Sequence, residues 1–217
     1  MRLSRELDAA EIRVLGCLLE KEQTTPDGYP LSINALQAAC NQKSNRSPVM
    51  ELSGHDVENT LDRLHAEVMV WPVDGARVRK WRHSLDRKWQ LQPESRAVMT
   101  VLLLRGPQTA GEIRTRTERM RLFHSVGEVE TVLAELAGGE EPLTVHLERQ
   151  PGQKEARWTH LVAGEPDQAT AIFAPGRART IAPGFEERIS DLEDRVAHLE
   201  KALGIERTES APDQSDS

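Results

Sequence analysis

The string DVENTLDRL at residues 56–64 returns as EVETVLAEL at residues 128–136, displaced by 72 positions and preceded each time by a serine, Ser53 and Ser125. Upstream, Ser32 and Leu36 return as Thr109 and Ile113 at a displacement of 77, and Ile12, Leu15 and Leu18 return as Val98, Val101 and Leu104 at 86. The displacement shrinks by nine and then by five residues, and both losses fall between apolar-periodic segments. Helices that keep register while only connectors shorten indicate an internal duplication. Such a chain is constrained to fold as two copies of one small unit.

Within the first copy, Asp8 and Glu11 form a capping-box pair, and Leu7 and Ile12 stand where a hydrophobic staple closes a helix start. Ile12, Leu15, Leu18 and Leu19 supply the apolar stripe of that helix. A turn-rich stretch, residues 24–30, leads to a second short helix capped by Ser32. A polar loop, residues 41–47, leads to a third, capped by Ser53, with the stripe Val57, Leu61, Leu64 and Val68. VMVWPV, an Asp74-Gly75 turn and RVRKWRH then read as a β-hairpin, with Pro72 confined to an edge because it lacks an N–H. The second copy closes on LTVHLER and ARWTHLV around Pro151-Gly152. Three helices and a hairpin, twice over, predict a mainly α (α+β) fold of tandem winged-helix domains, the first over residues 1–91 and the second over 92–163. A Gly/Pro/Ala linker at 164–184, a coiled-coil helix at 185–204 and a polar, disordered tail at 205–217 complete the expected organisation.

Of the 217 residues, 38% are hydrophobic and only 4% aromatic, too few aromatics for a large β-sandwich core. No apolar run is longer than that at residues 101–104, far short of the ~20 residues that span a bilayer, and the N-terminal stretch has no apolar signal segment. A cytoplasmic protein with no membrane partner is expected. Cys17 and Cys40 lie in apolar helical contexts without a CxxC or Cys/His set and read as small buried thiols. The net charge of −7 is unevenly spread: residues 1–91 sum to 0, residues 92–163 to −1 and residues 164–217 to −6. The acidity belongs to the tail and says little about what the first 163 residues bind.

The strings LLEKEQTTPDGYPLSINALQAACNQKSNRSPVM (residues 18–50) and LLLRGPQTAGEIRTRTERM (residues 102–120) closely resemble the YceH-like family of uncharacterised bacterial proteins. The resemblance covers about residues 5–163. It implies the same tandem winged-helix fold and carries no established activity or ligand. Ser47 stands where the family's NQKSNRDPV string has Asp, so no carboxylate acts from that position.

No catalytic signature is present. The seven histidines form no HExxH, none pairs with a cysteine at zinc-ligand spacing, and GxSxG, P-loop and GxGxxG strings are missing. The expectation is a non-enzymatic protein without metal or cofactor. Nucleic-acid binding is what the fold invites, through a third helix laid in the major groove. That helix is poorly suited here. Its first copy sets Arg63 and His65 against Asp56, Glu58, Asp62 and Glu67, and residues 125–141 hold five glutamates and no Lys or Arg. A duplex carrying one negative charge per ~1.7 Å repels such a surface.

Cationic charge gathers instead at Arg77, Arg79, Lys80, Arg82, Arg87 and Lys88, opposed only by Asp86, for a local net of +5 with Trp81 and Trp89 interleaved. Strand alternation puts Arg77, Arg79 and Trp81 on one face and Val78, Lys80 and Arg82 on the other. Such a wing can track the phosphates of double-stranded DNA. Lys43 and Arg46, in the loop before the third helix, extend the DNA-phosphate set. Two readings stand for the wing: phosphate contact, or a charged edge that resists aggregation, with Trp71, Trp81 and Trp89 as hairpin core. Arg114, Arg116, Arg119 and Arg121 make a second basic segment, expected to form surface pairs with Glu118 nearby. The rival function is a protein–protein docking module in a chromosome-associated or regulatory complex, where acidic third helices meet a protein partner.

Phe185, Ile189, Leu192, Val196, Leu199 and Leu203 recur at spacing 4-3-4-3-4, filling d and a positions, with β-branched Ile189 and Val196 at a and Leu192 and Leu199 at d, a choice that favours a parallel two-stranded coil. Arg188 and Arg195 at g then face Glu193 and Glu200 at e of a second copy. A homodimer through this helix is expected, with folding back onto the winged-helix domains as the alternative.

Overall fold

The computed structural model describes residues 4–73, 78–149, 153 and 155–165. The first copy comprises α1 (Ala9–Thr24), β1 (Leu31–Ser32), α2 (Ile33–Cys40), α3 (Gly54–Ala66), β2 (Val70–Val73), β3 (Lys80–His83) and the single turn α4 (Leu85–Lys88). The second comprises α5 (Pro93–Arg105), α6 (Ala110–Thr117), α7 (Val126–Ala137), β4 (Thr144–Leu147) and β5 (Arg157–His160). Among the described residues this is an α+β fold of seven α-helices and two small antiparallel sheets.

The helix starts are fixed by their caps. The Glu11 amide donates to Asp8 Oδ1 at 2.8 Å and the Asp8 amide to Glu11 Oε2 at 2.9 Å, closing the expected box. The duplicated caps act alike in both copies. Ser32 accepts from the Ala35 amide as Thr109 accepts from Glu112, and Ser53 accepts from the Asp56 amide as Ser125 accepts from Glu128. Ile12, Leu15 and Leu18 are buried, and so are their counterparts Val98, Val101 and Leu104.

The first sheet runs β1-β3-β2, which places Pro72 on an edge strand opposite Trp81. β1 was not anticipated; its Leu31 pairs with Trp81. In the second copy the same pairing survives as one bridge, in which Gln108 and Trp158 exchange both backbone hydrogen bonds at 3.0 and 2.7 Å. Those residues stand 77 positions beyond Leu31 and Trp81, so the duplication extends to the third strand.

One expectation is corrected. Val68 is not part of the α3 stripe: the helix ends at Ala66, and Val68 sits at φ +59 with half its surface exposed. After the strand, residues 85–88 form a helical turn. The two hairpin turns, with Asp74-Gly75 and Pro151-Gly152, lie outside the described residues, as do residues 166–217 with the heptad set Phe185, Ile189, Leu192, Val196, Leu199 and Leu203.

The two copies share one hydrophobic core, because α1 lies directly against α5. Gly16 permits the approach: a Cβ there would stand 2.8 Å from Leu104 Cδ2 and 3.2 Å from Leu103 Cβ. The Leu7 amide donates to the Val162 carbonyl at 2.8 Å, tying the start of the first copy to the end of the second. Cys17 and Cys40 are free thiols sealed in this core. No helix among the described residues is long and apolar enough to cross a membrane.

Candidate nucleic-acid interface

β3 is pinned between β1 and β2, and its alternation sorts the wing. Trp81 and His83 turn inward and are buried, while Arg82 is exposed between them and Lys80 is half-buried. Arg79, just before the strand, is exposed, and Arg77 lies outside the described residues. Arg87 projects from α4 into solvent, whereas Lys88 donates to the Glu67 carbonyl and so is partly committed. Arg79, Lys80, Arg82 and Arg87 enter no ion pair among the described residues.

The two members of the loop diverge. Lys43 is exposed. Arg46 is 6% exposed, with Nη1 and Nη2 against the Glu20 carboxylate oxygens at 3.1 and 2.6 Å and Nε donating to the Ala39 carbonyl at 3.1 Å. A guanidinium committed in this way cannot reach a phosphate, so Arg46 leaves the DNA-phosphate set. The tryptophans also divide. Trp81 and Trp89 are core, as expected, but Trp71 is 41% exposed and stands edge-on to His65 at a centroid distance of 5.0 Å.

A groove of about 680 Å³ runs beside this hairpin. Trp71, Val68, Arg82, Arg87 and Lys88 form its walls, and Glu22, His83 and Asp86 its floor. The floor brings three metal-capable side chains together from α1, β3 and α4, with donor atoms within 4.8 Å of one another. No sequence spacing exposes such a trio. The hydrogen bonds argue against a metal centre. The Leu85 amide donates to His83 Nδ1 at 3.2 Å, which leaves the ring proton on Nε2, donated to Glu22 at 2.8 Å. Arg96 from α5 already bridges Glu22 at 3.3 Å and Asp86 at 2.8 Å. The His83 hydrogen bond holds the Glu22 carboxyl below its usual range despite burial. These groups form an ion-pair network that fastens the hairpin of the first copy to the first helix of the second.

The third helices offer little to a duplex. Arg63, the one arginine on α3, is drawn back to Asp8 at 2.8 Å and Glu11 at 3.2 Å. On α7, Glu128, Glu130 and Glu135 are all exposed. Surface pairing in the second basic segment is real for Arg116 and Arg121, but their partners are Glu112 and Glu94 rather than Glu118.

Two copies of a three-helix unit closed by a hairpin, joined through a common core, define the class of protein: a duplicated α+β fold with a cationic hairpin on its first copy. The chain belongs to the family described as "Protein of unknown function, DUF480", which it matches over residues 7–153. It is 49% identical over 198 residues to a UPF0502 protein of Geotalea uraniireducens, covering 90% of each chain. It is likewise 46% identical over 207 residues to a UPF0502 protein of Chromobacterium violaceum, covering 92% of this chain and 93% of the relative.

Proposed function

We propose that the protein is a non-enzymatic tandem winged-helix protein that takes part in DNA-associated regulation, gripping duplex phosphates through the wing of its first copy. The strand order β1-β3-β2 around three helices supports the winged-helix reading. The observation that carries the DNA reading is the placement of cations that enter no ion pair among the described residues: Arg79, Lys80, Arg82 and Arg87 cluster on the hairpin and the turn after it, while Arg63 on α3 is consumed by carboxylates. Binding of this kind is phosphate-driven and sequence-tolerant, and Trp71 lies beside the cations to pack against sugar or base.

The test is fluorescence anisotropy with a labelled duplex at two or more salt concentrations. Affinity should fall steeply with salt. Replacing Arg77, Arg79, Lys80 and Arg82 by Ala should flatten the log–log slope by about 0.9 for each phosphate that is no longer neutralised. A quadruple variant that binds with the parent's affinity and slope removes the wing from consideration.

A second reading has its own support on the second copy. Leu122 is 60% exposed and Val126 is also exposed, beside the acidic face of α7. Exposed apolar side chains on the copy whose third helix is acidic suit a protein partner better than a phosphate backbone. Salt-independent capture of a protein, with no duplex binding at low salt, would favour docking over DNA contact.

A further inference from the structure

A cleft of about 830 Å³ opens where the C-terminal ends of α1, α5 and α6 meet the loop after α2. Lys21, Lys43, Arg105, Arg116 and Arg119 line it, against two carboxylates, Glu20 and Glu118. Several of these charges are already answered. Glu20 is held by Arg46, Lys21 lies 3.5 Å from Glu20, and Arg116 bonds to Gln108 at 2.6 Å and Glu112 at 3.3 Å. Lys43, Arg105 and Arg119 have no carboxylate partner among the described residues. Each helix C-terminus contributes about half a negative charge, which Lys43, Arg105 and Arg119 together offset along with the charge of Glu118. The cleft is left positive.

Its walls are fixed from beneath. Arg46 Nη1 donates to the Asn45 carbonyl at 3.0 Å and Nη2 to Gln42 Oε1 at 3.0 Å, besides the bonds to Glu20 and Ala39. The Ser47 amide donates to the Leu104 carbonyl at 2.9 Å, fastening the loop of the first copy to α5 of the second. Arg46 therefore acts as the scaffold of a loop that sets Lys43, Ser44 and Asn45 along the cleft. Arg105, half-buried in the wall, makes a side-chain contact with Asn45 Oδ1. Burial, followed by repulsion from Arg116 and Arg46, depresses its guanidinium below the ordinary value. An anion entering the cleft relieves that repulsion. None of the lining residues is aromatic, so a base has no stacking platform and charge is what the cleft can recognise.

We propose that this cleft binds multiply charged phosphoryl groups, held by Lys43, Arg105 and Arg119 with Ser44 and Asn45 as neutral donors. Two sources share that chemistry, a free polyphosphate and a duplex backbone. The site uses none of the wing cations and stands whether or not the wing contacts DNA.

The probe is inorganic tripolyphosphate, titrated into the full chain by calorimetry with sulfate at equal ionic strength as reference. Saturable binding to one site is expected. Lys43→Gln and Arg119→Gln should each weaken it about tenfold by removing one charge-assisted hydrogen bond. Both side chains are exposed, so the variants test binding rather than folding. The wing variant should keep the parent's affinity for tripolyphosphate. A labelled duplex forms the second arm: reduced duplex binding by the Lys43→Gln/Arg119→Gln pair assigns the backbone as the source, and unchanged duplex binding assigns a free polyphosphate. Tripolyphosphate binding no tighter than sulfate, or equal in the parent and the double variant, overturns the proposal.

Discussion

Arg46 carries a full charge into the interior, and Glu20 is what makes that tolerable, since a guanidinium taken out of water is stable only against a partner. Burial pushes the Glu20 carboxyl up more than any single contact pulls it down, but the hydrogen bonds and charge of Arg46, with Lys21 beside them, together outweigh burial and hold it below the usual range. A carboxyl whose pKa is depressed on folding contributes stability above its unfolded value, about 4.3, and loses it as the pH falls through the folded value. Glu20→Gln should therefore lower the unfolding free energy by about 3 kcal/mol at pH 7. The deficit should shrink as the parent's own Glu20 protonates at acid pH. Urea unfolding of both proteins at neutral pH and near pH 3 checks this, and a pH-independent deficit would refute it. None of this is legible in NQKSNRS, where Lys43 and Arg46 look equally suited to a surface loop. The deciding partner lies 26 positions upstream on another helix. Trp71 and Trp81 pose the same problem, because the pairing register, which sets Trp71 opposite exposed Arg82 and Pro72 opposite buried Trp81, decides which ring is inside.

Helix starts are readable because a cap is a local contract between residue i and the amide three positions on, as at Asp8, Ser32, Ser53, Thr109 and Ser125. The apolar stripes are readable for a similar reason. β1 and α4 are not, since two residues and four residues carry no period. The packing of α1 on α5 is also hidden, although Gly16 marks it in retrospect. A glycine inside an apolar helix forgoes about 1 kcal/mol of helix propensity, and here the missing side chain lets two helices approach. Gly16→Leu should overpack that seam against Leu103 and Leu104 and destabilise the protein by about 1–3 kcal/mol. Because the core is continuous, tryptophan fluorescence and far-ultraviolet dichroism should report one transition with one lowered midpoint. Two separated transitions would contradict a core shared between the copies.

At the scale of the whole molecule, cations and carboxylates are segregated: cations without an ion pair among the described residues on the first hairpin and in the cleft between copies, exposed glutamates on α7, and a net of −6 in residues 164–217. On the proposed DNA reading, a single hairpin that neutralises few phosphates would bind weakly at physiological salt, so a second copy of it would matter. A coiled coil through the heptad set from Phe185 to Leu203 would supply one. Ile189 and Val196 at a, Leu192 and Leu199 at d, and the opposed g–e pairs Arg188 with Glu193 and Arg195 with Glu200 match a parallel dimer. A lone helix of that length is marginal in water, which is a reason for it to find a partner rather than stand free. Light scattering should give twice the chain mass for the full protein and the monomer mass for a chain ending at Gly184. The shortened chain should also bind a long duplex more weakly, because the second wing no longer binds at the effective concentration set by the first. Equal monomer masses for the two proteins would eliminate the coiled coil and leave each wing to act alone.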